Sequence, residues 1–169
     1  ALVGTSTLEG WAEPFARQTT KAFDAALRVN LTSAFTLVQE AAPALARSGK
    51  GSVILFSSIY GQVGPDHGLY AGLKMANPAG YGASKGGLAQ LARHLATTLA
   101  PRVRVNVVSP GGIERRQPKE FQKRYKARTP LGRMATEADV QGAVAYLASD
   151  LSAYVTGHNL VVDGGWTAW

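Results

Sequence analysis

The chain predicts an α/β fold built on a parallel sheet. Helical and strand-like periods alternate along it, at about the spacing of parallel crossover units. Each strand-like run is also short and apolar on both faces, as strands covered by helices on two sides are. The first 18 residues carry turn formers without a sustained period and read as loop. From Lys21 to Arg47, apolar residues fall at Phe23, Leu27, Leu31, Phe35, Val38, Ala42 and Leu45. That spacing predicts a long amphipathic helix, with Pro43 expected to kink it near its end. After "GKG", the run Ser52 to Ser57 ("SVILFS") reads as a buried strand, and the glycine- and proline-bearing segment 58–80 reads as mostly loop. A second helix is predicted from Tyr81 to Ala100, with Leu88, Leu91, Leu95 and Leu99 on one stripe and Pro101 at its end. "VRVNVVS" is the second strand, and "PGG" opens a long irregular excursion. Thr136 and Asp139 have capping-box spacing, which starts a third helix running to Ser149, and "HNLVVDGG" supplies the last strand. Three strands make a thin sheet, and an edge as apolar as "SVILF" leads us to expect further strands beside it.

Composition narrows the class. With 169 residues, 46% hydrophobic and 17% charged, the chain has room for one globular domain with a core. It contains no run of 18 apolar residues and no basic-then-apolar leader, so neither a membrane span nor secretion is expected. Zero cysteines exclude disulfides, thiolate metal sites and a thiol nucleophile, in keeping with a cytoplasmic location. The three histidines have no metal-ligand spacing, and no metal is expected. The net charge of +7 is local: "RRQPKEFQKRYKAR", Arg115 to Arg128, holds seven of the 18 basic residues and a single acid, Glu120. Such a run is either a solvated face or an anion-attracting lid, and it lacks any motif that reads nucleic acid.

"LYAGLKMANPAGYGASK" contains Tyr-x-x-x-Lys twice, as Tyr70 with Lys74 and as Tyr81 with Lys85. Four positions apart on a helix, an ammonium can stand beside a phenol. A phenol titrates near about 10, so general-base work at neutral pH requires a neighbouring cation held on a rigid element. Gly72 lies inside the first pair, and Pro78 and Gly80 follow it closely. The second pair opens the leucine-striped helix, with Gly82, Ala83 and Ser84 leaving room for a bound molecule.

"VNLTSAF", "VILFSSIYG", "YGASKGGLAQLARHLA", "VRVNVVSPGGI" and "ASDLSAYVTGHNLVVDGG" occur in this order from Lys21 onward. They resemble the successive blocks of the short-chain dehydrogenase/reductase family. The resemblance implies a doubly wound Rossmann fold, NAD or NADP as cofactor, and hydride exchange between an alcohol and a carbonyl. It also implies that Tyr81 is the acid/base and that Lys85 lowers its pKa and binds the nicotinamide ribose. Ser58, in preference to Ser57, would bind the reacting oxygen, and Asn30 would hold a water of the proton relay. Pro110, Gly111 and Ile113 would neighbour the nicotinamide, while His67 and Tyr70 are candidates for substrate contact.

The match departs from the family in four ways. Ser58 stands 23 positions before Tyr81 but 12 before Tyr70, so an insertion before Tyr81 is required. The glycine-rich phosphate turn, the residue that reads the adenine ribose and the "NNAG" block are absent. "ERR" stands where a threonine or serine often follows "PG", and Ser33 stands where the family often has glycine. The chain therefore resembles the C-terminal two-thirds of a Rossmann enzyme, lacking the first βαβ units, with a basic substrate lid over about 111–135. In isolation it is expected to bind cofactor weakly or not at all and to have low activity. "PLGRM" and "VDGGWTAW" resemble members that modify bacterial sugars and surface polysaccharides, so a small polar, sugar-like substrate is expected. A 3-oxoacyl reductase and a silent oligomer-forming subunit are the alternatives; the family often forms tetramers or dimers.

Overall fold

A computed structural model describes residues 8–169. The element order is α1 (Thr20–Leu27), a π turn (Arg28–Thr32), α2 (Ser33–Ser48), β1 (Gly51–Phe56), α3 (Ala79–Leu99), β2 (Val103–Pro110), α4 (Lys119–Arg128), α5 (Glu137–Ala148) and β3 (Asn159–Val162). Short 3₁₀ turns fall at Phe15–Arg17, Ile59–Gly61, His67–Tyr70 and Asp150–Ser152. The strands form a parallel sheet in the order β1-β2-β3, with Val53 opposite Val105 and Val108 opposite Leu160. This is the predicted α/β class. The outer edge of β1 pairs with no strand among the described residues, and Phe56 on it is 46% exposed.

One face of the sheet is covered by α2 and α3. Val38, Leu55, Leu88, Ala92, Leu95, Val103 and Val105 are buried together there. The other face carries α5, which packs Val140 and Leu147 against Val108. Asp139 accepts from the Thr136 amide (2.7 Å) and hydroxyl (2.8 Å) and so caps α5, as its spacing predicts. No described helix is long and apolar enough to cross a membrane.

Two elements differ from the sequence reading. The long first helix is interrupted by the π turn, whose wider ring shifts the phase of the apolar stripe. Ala22 and Ala26 face inward before it, Asn30 and Leu31 within it, and Ala34 and Val38 after it. Phe35, expected on the buried stripe, is consequently 43% exposed, and α2 runs on through Pro43 to Ser48. The excursion after "PGG" contains α4, begun after Pro118 and supported by the Glu120–Arg124 pair one turn apart. Its apolar contribution is confined to Phe121 and Tyr125, too few to show a period within a charge run.

Asn106 is a polar residue inside β2 and has no exposed surface. Its Nδ2 donates to the Val155 carbonyl (2.8 Å) and its Oδ1 accepts from the His158 amide (3.0 Å), tying the loop before β3 to the sheet. Asn106→Ala removes both hydrogen bonds that tie this loop to β2, so its unfolding free energy should fall by about 1–3 kcal/mol in urea titrations.

Candidate active site

At the carboxyl end of β1 the chain turns away through Ser57 and Ser58, both buried. Ser57 Oγ donates to the Lys85 carbonyl (2.7 Å), and Lys85 Nζ donates back to the Phe56 carbonyl (2.7 Å). This reciprocal pair fastens the strand end to the second turn of α3. Gly61 allows the close approach: a Cβ there would lie 2.6 Å from Ser57 Oγ and 2.8 Å from the Lys85 carbonyl carbon. Ser57 thus belongs to the scaffold. Ser58 accepts from the Tyr60 amide (3.2 Å) and hydrogen-bonds the Tyr81 phenol.

Burial pushes the Tyr81 phenol above its ordinary value, while the Ser58 hydrogen bond pulls it down and the Tyr70 phenol adds a further upward push. The Lys85 ammonium is buried, 5.8 Å from the Tyr81 ring centroid, and burial lowers its pKa. Around Tyr81, burial outweighs the hydrogen bond, so the phenol is held in its protonated form. Asn30, buried in the π turn, donates from Nδ2 to Ser84 Oγ (3.0 Å), and Ser84 donates to the Tyr81 carbonyl (2.8 Å). The π turn is what aims Asn30 at α3, one turn from Tyr81; π turns often mark functional positions.

Ser58 and Tyr81 open onto a cavity of about 400 Å³. Pro110, Gly111 and Ile113 line it from the end of β2, and Tyr70 lines it from the segment before α3. Lys85 and Asn30 stand behind Tyr81 rather than in the wall. His67 is exposed and lines a neighbouring cavity with Lys74 instead. Tyr70 and Lys74 do not share a helix, because the turn ends at Tyr70 and Gly72 takes a left-handed φ of 73°.

The sequence reading did not find Tyr60, Asn77, Phe121 or Tyr125, which complete the wall. Only the four-residue spacing of Phe121 and Tyr125 pointed to a buried face. Tyr125 Oη accepts from the Gly112 amide (2.5 Å), and a Cβ on Gly112 would meet its ring at 2.7 Å. Burial raises this phenol to about 12. The basic run is partly committed to internal contacts. Arg115 pairs with Glu137, Lys126 with Glu114 (2.8 Å) and Arg128 with Asp66 (3.3 Å). Arg124 donates to the carbonyls of Gly68 (3.2 Å) and Ala71 (2.7 Å), tying α4 to the turn that carries Tyr70. Among the described residues, Arg116, Lys119 and Lys123 are exposed and outside these pairs.

Ser58→Ala removes the contact that lowers the Tyr81 phenol. The Tyr81 titration, followed by NMR of ¹³Cζ-labelled tyrosine, should move to still higher pH, and an unchanged titration would contradict the contact.

A profile of the family described as Enoyl-(Acyl carrier protein) reductase matches residues 2–167. A tropinone reductase homologue of Arabidopsis thaliana is 37% identical over 162 residues, covering 92% of this chain and 56% of the relative. A short-chain dehydrogenase of Leptospira borgpetersenii, solved with bound NAD+, superposes with a TM-score of 0.88 at 37% identity, covering 99% of this chain and 62% of its own. A gluconate 5-dehydrogenase of Burkholderia cenocepacia, solved with NADP and tartrate, gives 0.82 at 26% identity, covering 96% of this chain and 63% of its own. The chain thus spans little more than half to three-fifths of the length of these relatives. With the serine, tyrosine and lysine gathered at the carboxyl end of a parallel sheet, and with matches along nearly its whole length, this chain belongs to the short-chain dehydrogenase/reductase family.

Proposed function

We propose that the protein is an NAD- or NADP-dependent oxidoreductase that interconverts an alcohol and a carbonyl on a small, sugar-like substrate. The observation that carries this reading is that Ser58 and Tyr81 line the same cavity, with the buried Lys85 ammonium 5.8 Å from the centre of the Tyr81 ring. An oxygen placed against both hydroxyls meets a hydrogen-bond donor and a proton donor together.

The surrounding residues suit a nicotinamide cofactor. Lys85 is an ammonium with three donors, of which the Phe56 carbonyl takes one, leaving two for ribose hydroxyls. Pro110, Gly111 and Ile113 would hold the nicotinamide side from the end of β2. When bound, the cofactor supplies or accepts the hydride. During reduction, Tyr81 gives its proton to the substrate oxygen as the carbonyl carbon becomes an alcohol carbon, and Ser58 steadies the developing charge. Asn30, fixed through Ser84, takes the relay position behind Tyr81. In either direction Tyr81 passes between phenol and phenolate, and the phenolate would form with the Lys85 ammonium 5.8 Å from the ring.

The cavity wall supports a compact, oxygen-bearing substrate. Phe121, Met75, Ile59 and Met134 offer surfaces for carbon–hydrogen faces, and Tyr60, Tyr70 and Asn77 offer fixed polar points.

The test is nicotinamide oxidation with a panel of keto-sugars and cyclic ketones, using the protein at its natural length. Tyr81→Phe should lower kcat by at least about a hundredfold, the usual scale of a lost general acid. Lys74→Ala should leave kcat/KM unchanged, since Lys74 is exposed and outside the cavity. Absence of turnover in the wild-type protein with every ketone would overturn the reading.

A further inference from the structure

Two phenols of the cavity take no part in the proton transfer described above. Tyr60 Oη and Tyr70 Oη lie 3.1 Å apart, and the Asn77 amide stands near enough to both to favour their ionisation slightly. All three residues line the same cavity as Ser58 and Tyr81. Much of the wall around them is apolar, with Ile59, Met75, Pro78, Ile113 and Met134. Polar groups set in such a wall are costly unless they are partnered. A phenol brings a donor and acceptor lone pairs, and an amide brings both as well, so the cluster has more capacity than its mutual contacts consume.

The cluster is also held rigidly. The Tyr60 ring meets Trp166 edge-on, with centroids 6.0 Å apart at 80°. The Tyr70 ring packs against Phe121 at 5.4 Å, and Arg124 holds the backbone on either side of it through the Gly68 and Ala71 carbonyls. A polar group locked by packing recognises a ligand with little loss of side-chain freedom. Burial raises both phenols above their ordinary range, so they present neutral hydroxyls.

We propose that Tyr60, Tyr70 and Asn77 form a recognition station for a second oxygen of the substrate, a hydroxyl or carbonyl beside the one that reacts at Tyr81. The protein thereby selects hydroxy-ketones and diols over analogues with a single oxygen. This rests on the oxidoreductase reading and narrows its substrate class. Sites built to bond a substrate hydroxyl discriminate strongly against the analogue lacking it, because their own polar groups are left unpaired.

The probes are cyclohexanone against 4-hydroxycyclohexanone for turnover, and cyclohexanol against 1,4-cyclohexanediol for binding. Binding is read by tryptophan fluorescence, since Trp166 abuts Tyr60. The wild-type protein should favour the dioxygenated member of each pair by at least about tenfold, the scale of one net hydrogen bond. Tyr70→Phe should reduce that ratio to near unity, chiefly through KM of the hydroxy-ketone, and Tyr60→Phe should move it the same way. Equal treatment of the two members by the wild-type protein, or no binding of either alcohol, overturns the station. So does a Tyr70→Phe variant in which both members weaken together at an unchanged ratio. Preferential diol binding without turnover of either ketone would retain the station and refute the redox reading.

Discussion

The site depends on one reciprocal contact, the Lys85 ammonium on the Phe56 carbonyl and the Ser57 hydroxyl on the Lys85 carbonyl. It joins the last residue of β1 to α3 and so sets the separation between Ser58 and Tyr81, which lie on two different elements. A buried ammonium is expensive to desolvate, and a charge-assisted hydrogen bond to a strand-end carbonyl offsets part of that cost. The same bond holds the cation 5.8 Å from the Tyr81 ring centroid, where its field can reach the phenol. Gly61 is a corollary: the turn after the strand must lie flat on α3 for the contact to form, and a side chain there would lift it.

Much of this was legible in sequence because it is local. Leu88 and Leu95 mark the buried face of α3, and that face places Tyr81 and Lys85 on a rigid element while Tyr70 and Lys74 fall in turns. The π turn around Asn30 was not legible, since nothing in "RVNLT" separates a five-residue ring from an ordinary helical turn; the exposed Phe35 is its consequence. Helix α4 was hidden for a different reason. Its two buried apolar residues sit among six charges, and it is stabilised by tertiary contacts to Gly112, Asp66 and the 68–71 turn that no local window contains.

Those contacts build a second core, separate from the one on the sheet. Ile59, Leu69, Phe121, Tyr125, Met134 and Trp166 are buried together, with the Arg128 guanidinium 4.6 Å from the centre of the Trp166 ring. The packing is imperfect in polar terms, since Arg128 Nε and Trp166 Nε1 are buried without hydrogen-bond partners. The basic run therefore acts largely as a fastening, binding α4 to the inserted segment so that the two form one wall of the cavity.

The two Tyr-x-x-x-Lys pairs show why residue pattern alone does not define an acid/base device. Burial raises both phenols, Tyr70 and Tyr81, by the same physical cause. What separates them is their company. Tyr81 has Ser58 at its hydroxyl and a buried ammonium near its ring, which is the company the proposed proton exchange requires. Tyr70 has a second phenol beside it, and burial and Asp66 both oppose its ionisation. The proposed division of roles between the two phenols rests on that company: one stands near a cation on a rigid helix, the other near a second phenol on a fastened turn.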